Sequence, residues 1–198
     1  MSRDYISCAD TAALIRKSLK ESFPGIKFSV RSSTYSGGAS INVRWTDGPN
    51  AAQVEAVADV FSGSYFDGQT DYKGSTYALM DGKQVRFGAD FIFCNRSFSD
   101  AAVQRAIDQV SRAFAGNFAE KNIPVPTVAQ YRSGELYRAQ IMDNGSDYWS
   151  LQSLISRAMG KASDRLAVAK SLTAGKVIYL GNDGYSQVGA LSPALVEA

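Results

Sequence analysis

From Val85 to Phe93 every second residue is apolar (Val85, Phe87, Ala89, Phe91, Phe93), and an extended strand with one dry and one wet face suits such a run. Two earlier runs keep the same period. Ile26, Phe28 and Val30 alternate with Lys27, Ser29 and Arg31, and Ile41, Val43 and Trp45 alternate with Asn42 and Arg44. The strand signal from Thr76 to Met80 reaches the run at Val85–Asn95 through Asp81-Gly82, a dipeptide suited to a tight hairpin. Strands wet on one side belong in antiparallel sheets with one covered face.

Helical periods supply the cover. Ser7 and Asp10 mark an N-terminus, and Cys8, Ala12, Ile15 and Leu19 follow on one stripe until Phe23-Pro24-Gly25 stops it. Asn50 and Gln53 have capping-box spacing ahead of Val54, Val57, Ala58 and Phe61. Ser99 precedes Val103, Ile107, Val110 and Phe114. The expected order is αββαββα: an α+β fold with an antiparallel sheet of about four strands and helices packed on one face. Residues Ser32–Ala39 are expected to form a long hairpin loop, and Ser62–Gly74 an irregular glycine-rich connection.

Pro124-Val125-Pro126 suggests a boundary, dividing an α+β domain at residues 1–123 from a C-terminal extension at residues 124–198. In the extension, Tyr148, Leu151, Leu154, Ile155 and Ala158 point to one helix, and Leu166, Ala169 and Leu172 to another. Val177–Leu180 and Tyr185–Val188 suggest a terminal hairpin across Gly181–Gly184.

Composition narrows the chemistry. At 198 residues and 45% hydrophobic, the chain can bury roughly 70% of its unfolded surface without a metal or disulfide staple. There is no histidine, which removes Ser-His-Asp and Cys-His catalysis and every histidine metal site. Cys8 and Cys94 stand apart in apolar surroundings and read as buried small hydrophobes of a reduced, cytoplasmic protein. No secretory signal or apolar span is expected, hence no membrane partner. Net charge is +2 and neither half is a basic block, so a nucleic-acid surface would have to be assembled by the fold.

Several motifs fall in a familiar order. Tyr5-Ile6-Ser7 with Asp10-Thr11-Ala12 opens a helix, and Phe23-Pro24-Gly25-Ile26-Lys27-Phe28-Ser29-Val30-Arg31-Ser32 follows. Then come Tyr35-Ser36-Gly37-Gly38, Val43-Arg44-Trp45-Thr46-Asp47-Gly48-Pro49, Phe66-Asp67-Gly68 and Val85-Arg86-Phe87-Gly88-Ala89-Asp90-Phe91. From Tyr5 to about Arg96 the chain resembles the large polyvalent protein-associated domain of type 29, a module of phage and conjugative-element proteins. The resemblance implies a setting and assigns no catalytic residues. Proteins of this kind accompany an invading element, and many are suspected of protecting it from host defences. Here the module stands almost alone, which suits a free-standing accessory protein.

Candidate binding residues are Arg31, Tyr35, Gly37, Gly38 and Arg44 on the first hairpin, where a glycine tip flanked by arginines and an aromatic could hold a phosphate backbone or stack a base. The same residues would also serve as the ordinary polar outer face of a hairpin, with Arg31 and Arg44 paired across strands. Tyr65 and Tyr72, placed in the irregular loop, are the aromatics expected to be exposed as protein-binding anchors. Trp45, Phe66 and Tyr77 lie near them, and Tyr148-Trp149 is a second pair.

Asp67, Asp71 and Lys73 have a spacing that magnesium-dependent nucleases can use, though no strand presents a second carboxylate; Asp81-Gly82-Lys83 is accounted for by its turn. Asp67–Asp71 lacks the third ligand and distal Glu of a calcium loop, and no phosphate-binding glycine fingerprint is present, so neither a metal nor a cofactor is expected. The first reading is a non-enzymatic protein that binds a host protein complex to counter a defence system of CRISPR or restriction type. The alternatives are a nucleic-acid-binding module using the arginine hairpin, and a magnesium-dependent nuclease.

Overall fold

The computed structural model describes residues 4–142, 149–164 and 166–185. The class is α+β as expected. The elements run β1 (Asp4–Ile6), α1 (Cys8–Ser22), β2 (Ser29–Tyr35), β3 (Gly38–Thr46), α2 (Ala51–Ala58), β4 (Ser64–Asp67), β5 (Tyr72–Met80), β6 (Lys83–Phe87) and β7 (Phe91–Ser97). Then follow α3 (Asp100–Ala113), α4 (Ala115–Glu120), α5 (Val128–Ser133), α6 (Leu151–Ser163) and β8 (Val177–Asn182). Two compact units result. The first takes the described residues of 1–45, 51–96 and 167–198; the second takes those of 46–50 and 97–166. The division therefore falls at other points than Pro124, because α3 belongs with the later helices and β8 with the earlier strands.

In the first unit, α1 begins where the Ser7 hydroxyl accepts the Asp10 N–H at 3.1 Å. Its stripe of Cys8, Ala12, Ile15 and Leu19 is buried against Val30 of β2, Ile41, Val43 and Trp45 of β3, and Val54 and Val57 of α2. Full burial of each branched side chain contributes about 1.5–3 kcal/mol relative to exposure.

The single sheet of four strands is corrected to two sheets. β2, β3 and β7 form one, with β3 in the middle; β1, β6, β5 and β4 form the other in that order, with β8 paired to β5. Not every pair is antiparallel, since β1 runs parallel to β6.

The cause is a break in the run from Val85 to Phe93. Val85 and Phe87 point into the core from β6. At Gly88 the chain leaves that sheet, its N–H donating to the Ile6 carbonyl at 2.7 Å, and the Asp90 N–H then donates to Ala39 on the other sheet at 2.9 Å. Three residues of crossover shift the phase by one. In β7 it is Ile92 and Cys94 that pack on the core, while Phe93 is 49% exposed.

Other expectations change for local reasons. The loop expected at Ser32–Ala39 is a two-residue turn, with Tyr35 already paired to Gly38 across the hairpin. Much of the Ser62–Gly74 segment is strand: Ser64–Asp67 pairs with Tyr72–Ser75 through a short loop. The Asp81-Gly82 turn joins β5 to β6 as expected, both residues having positive φ.

In the second unit, Ser99 caps α3 by accepting the Ala102 N–H at 3.1 Å, and Asp47 binds the Ser99 hydroxyl at 2.6 Å. Val103, Ile107 and Val110 are buried with Leu151, Leu154 and Ile155 of α6 instead of on a sheet. The stretch around Leu166, Ala169 and Leu172 is not helical, and Leu172 is exposed. Of the expected terminal hairpin, the first arm is β8, which pairs with β5; apart from Tyr185 the second arm lies outside the described residues.

Candidate binding face on the three-stranded sheet

The inner face of β2, β3 and β7 carries the core, so alternate residues are turned outward. On β2 these are Ser29, Arg31, Ser33 and Tyr35, all exposed, and on β3 they are Gly38, Ser40, Asn42 and Arg44, of which Arg44 is exposed, Gly38 and Asn42 are half-buried and Ser40 is buried. Cross-strand register sets Ser29 opposite Arg44 and Arg31 opposite Asn42. The two arginines are thus diagonal neighbours, correcting the expectation of a direct pair. They share a shallow hollow lined by Ser29, Arg31, Ser32, Ser33, Asn42 and Arg44. Neither guanidinium has an ion-pair or hydrogen-bond partner among the described residues, and both are exposed.

The third strand adds what the periodicity concealed. The Asp90 N–H meets the Ala39 carbonyl, and the Thr46 and Ser97 hydroxyls meet at 2.9 Å, so β7 runs in the same direction as β3. Counting back along both strands from the Thr46–Ser97 contact sets Phe93 beside Asn42 and Asn95 beside Arg44, the alignment that also keeps Ile92 and Cys94 on the core side with Ile41 and Val43. The rings of Phe91 and Phe93 lie nearly parallel, 12° apart in plane, with centroids separated by 6.1 Å. The hollow around the two arginines is lined by no carboxylate; the acidic side chain near this face, Asp90, lies at the hairpin tip beside Gly38 and is paired with Lys73.

The hairpin tip is pinned in place. Lys73 Nζ donates to the Gly37 carbonyl at 3.0 Å and pairs with Asp90 at 3.1 Å; the same Asp90 carboxylate accepts the Ala39 N–H at 3.0 Å. Gly37 has φ +87°, as the tight turn requires. A Cβ on Gly38 would lie 3.0 Å from both the Tyr35 ring and Asp90 Oδ2, so the bare backbone there makes room for the half-exposed tyrosine.

Tyr65 and Tyr72 lie elsewhere, on β4 and β5, and are partly buried, not loop anchors. Their phenols donate to the Asp183 carboxylate at 2.8 and 3.0 Å, and the Ser75 N–H donates to it at 2.7 Å. Burial alone would raise the Asp183 pKa; the bonds from Ser75, Tyr65 and Tyr72 outweigh it and hold the carboxyl below its ordinary value. Burial, and then Asp183, raise that of Tyr72.

Asp67 is buried, accepting the Gln69 N–H at 2.9 Å, while Asp71 is an exposed loop residue with positive φ. Lys73 is committed to Gly37 and Asp90. Among the described residues no three Cys, Asp or Glu side chains converge as a metal-holding group. Both cysteines are free; Cys8 is buried, and burial, followed by Asp59 and Glu55, pushes the Cys94 thiol up to about 12. Trp45 is core, Phe66 is exposed and Tyr77 is half-buried. Tyr148 lies outside the described residues; Trp149 packs on Phe114 and beneath Arg157. No helix among the described residues is long and apolar enough to cross a membrane.

Fold and face together define an α+β domain with two helices behind a small sheet whose other side carries the exposed Arg31, Arg44 and Phe93. Residues 6–99, a little under half of the chain, match the family described as large polyvalent protein associated domain 29. No curated protein and no solved structure matches the chain.

Proposed function

We propose that the chain is a non-enzymatic accessory protein of a phage or other mobile element, and that it works by binding nucleic acid on the outer face of β2, β3 and β7. The observation that carries this reading is the pair Arg31 and Arg44: two guanidinium groups on one hollow without a carboxylate. Exposed arginines on a polar face are ordinary, but a planar fork with no carboxylate in its hollow suits a phosphate. Asn42, Ser29 and Ser33 add neutral polar groups around them. The family supplies the setting in which such a protein would act.

The test is fluorescence anisotropy with labelled oligonucleotides. Arg31→Ala and Arg44→Ala should each weaken binding about tenfold, the loss of one charge-assisted contact of ~1.5 kcal/mol. Unchanged binding in the double variant would refute the assignment.

A second reading, binding to a host protein complex to counter a CRISPR or restriction-type defence, draws on the family setting and on β2. This strand is at the sheet's edge, and five successive exposed residues, Arg31 to Tyr35, run along it. An edge strand accepts a partner's strand, and occlusion needs only roughly 800 Å² per partner. Capture from a host lysate separates the two readings: a discrete complex retained after nuclease treatment favours the second.

A further inference from the structure

We infer that the face selects single-stranded nucleic acid, with bases stacked on Phe93 and Phe91 and the phosphate backbone held by Arg31 and Arg44; this rests on the reading just given. The register places three unlike groups in one row across the sheet. Arg31 on β2 is opposite Asn42 on β3, and Asn42 is beside Phe93 on β7. With strands about 4.8 Å apart, Arg31 and Phe93 stand roughly 10 Å from each other with an amide between them. A nucleotide laid across that row has its base on the ring, its edge near the amide and its phosphate near the guanidinium.

The next row, Ser29, Arg44 and Asn95, repeats the charge one step along. On the other side, Ser33 and Ser40 lead to Phe91, and Tyr35 stands half-exposed over Gly38 nearer the tip.

The aromatic rings decide between strand types. In a duplex the flat faces of the bases are stacked inside and offer nothing to a phenyl ring on a sheet, whereas splayed bases stack on it whatever their sequence. A phenylalanine 49% exposed in an otherwise polar setting has lost burial energy that a bound base would restore. Phe91, two residues back on the same strand and half-buried, holds its ring nearly parallel to that of Phe93 and extends the apolar surface beside it. Duplex binding would instead call for a broad concentration of positive charge. This face has two arginines, and the chain has a net charge of +2.

The experiment compares a short oligothymidylate with a duplex of equal length, on wild type and on Phe93→Ala, Phe93→Trp and Arg31→Ala/Arg44→Ala. Circular dichroism confirms that each variant is folded. The single strand should bind at least about tenfold more tightly than the duplex, Phe93→Ala should remove about tenfold, and Phe93→Trp should keep or improve affinity. Equal binding of duplex, or an unaffected Phe93→Ala, overturns the single-strand inference; if the arginine variant still loses binding, the nucleic-acid reading survives. Failure of wild type to bind either probe overturns both.

Discussion

Gly63 shows how tightly a single position can be specified. Its N–H donates to the Ala89 carbonyl and its own carbonyl accepts the Thr76 N–H, so it sits at the crossover between the two sheets. A Cβ there would fall 1.7 Å from the Phe87 carbonyl oxygen, which is backbone and cannot swing aside. Gly63→Ala should therefore destabilise the protein by about 3 kcal/mol, at the top of the overpacking range, read from the urea midpoint. Gly68→Ala, where a Cβ meets only the Phe66 ring at 3.9 Å, should be near neutral. At this scale Arg31 and Arg44 were legible, because alternation with buried Val30 and Val43 leaves them no direction but outward. Phe93 was not. It shares the parity of Val85 and Phe87, and only the crossover at Gly88–Asp90 reverses which parity faces the core.

At the scale of elements, the segment leading to β8 is fastened by acceptors that local patterns do not announce. The Glu21 carboxylate takes the Ser171 hydroxyl at 2.7 Å, the Thr173 N–H at 2.9 Å and the Thr173 hydroxyl at 2.8 Å. These bonds lower its pKa to about 2. Because the folded value is depressed, the contribution is complete above the ordinary carboxyl pKa of about 4.3 and disappears as pH falls towards 2. The amide resonances of β8 should lose their folded dispersion across that window, and Glu21→Gln should loosen the segment already at neutral pH. Sharp dispersion at pH 2 in wild type would contradict this. Helices α1 and α3 were legible from their stripes and caps, and α2 from its stripe. β4 was not, since a four-residue strand has too few alternations to show a period; β8 was legible as a strand, but its pairing with β5, far away in sequence, was not.

For the whole molecule, charge sets the scale of any nucleic-acid affinity. Two uncompensated arginines imply about two phosphate contacts, so the logarithm of the binding constant should fall with the logarithm of salt with a slope of about −1.4. A slope several times steeper in a salt titration would mean that a larger basic surface takes part. The α+β class could be read from the mixture of periods; the division into units could not, because sequence proximity to Pro124 says little about which core a helix or strand joins.

That division bears on how the protein is made. β8 is the partner of β5 in the first unit, yet it follows the entire second unit in the chain. On the ribosome it emerges roughly 100 residues after β5, a delay on the order of 5–20 s at ordinary elongation rates. Throughout that interval the edge of β5 is open to any strand that reaches it, in the same nascent chain or in a neighbouring one. The order in which segments leave the exit tunnel, and not their final stability, decides when the first unit can close.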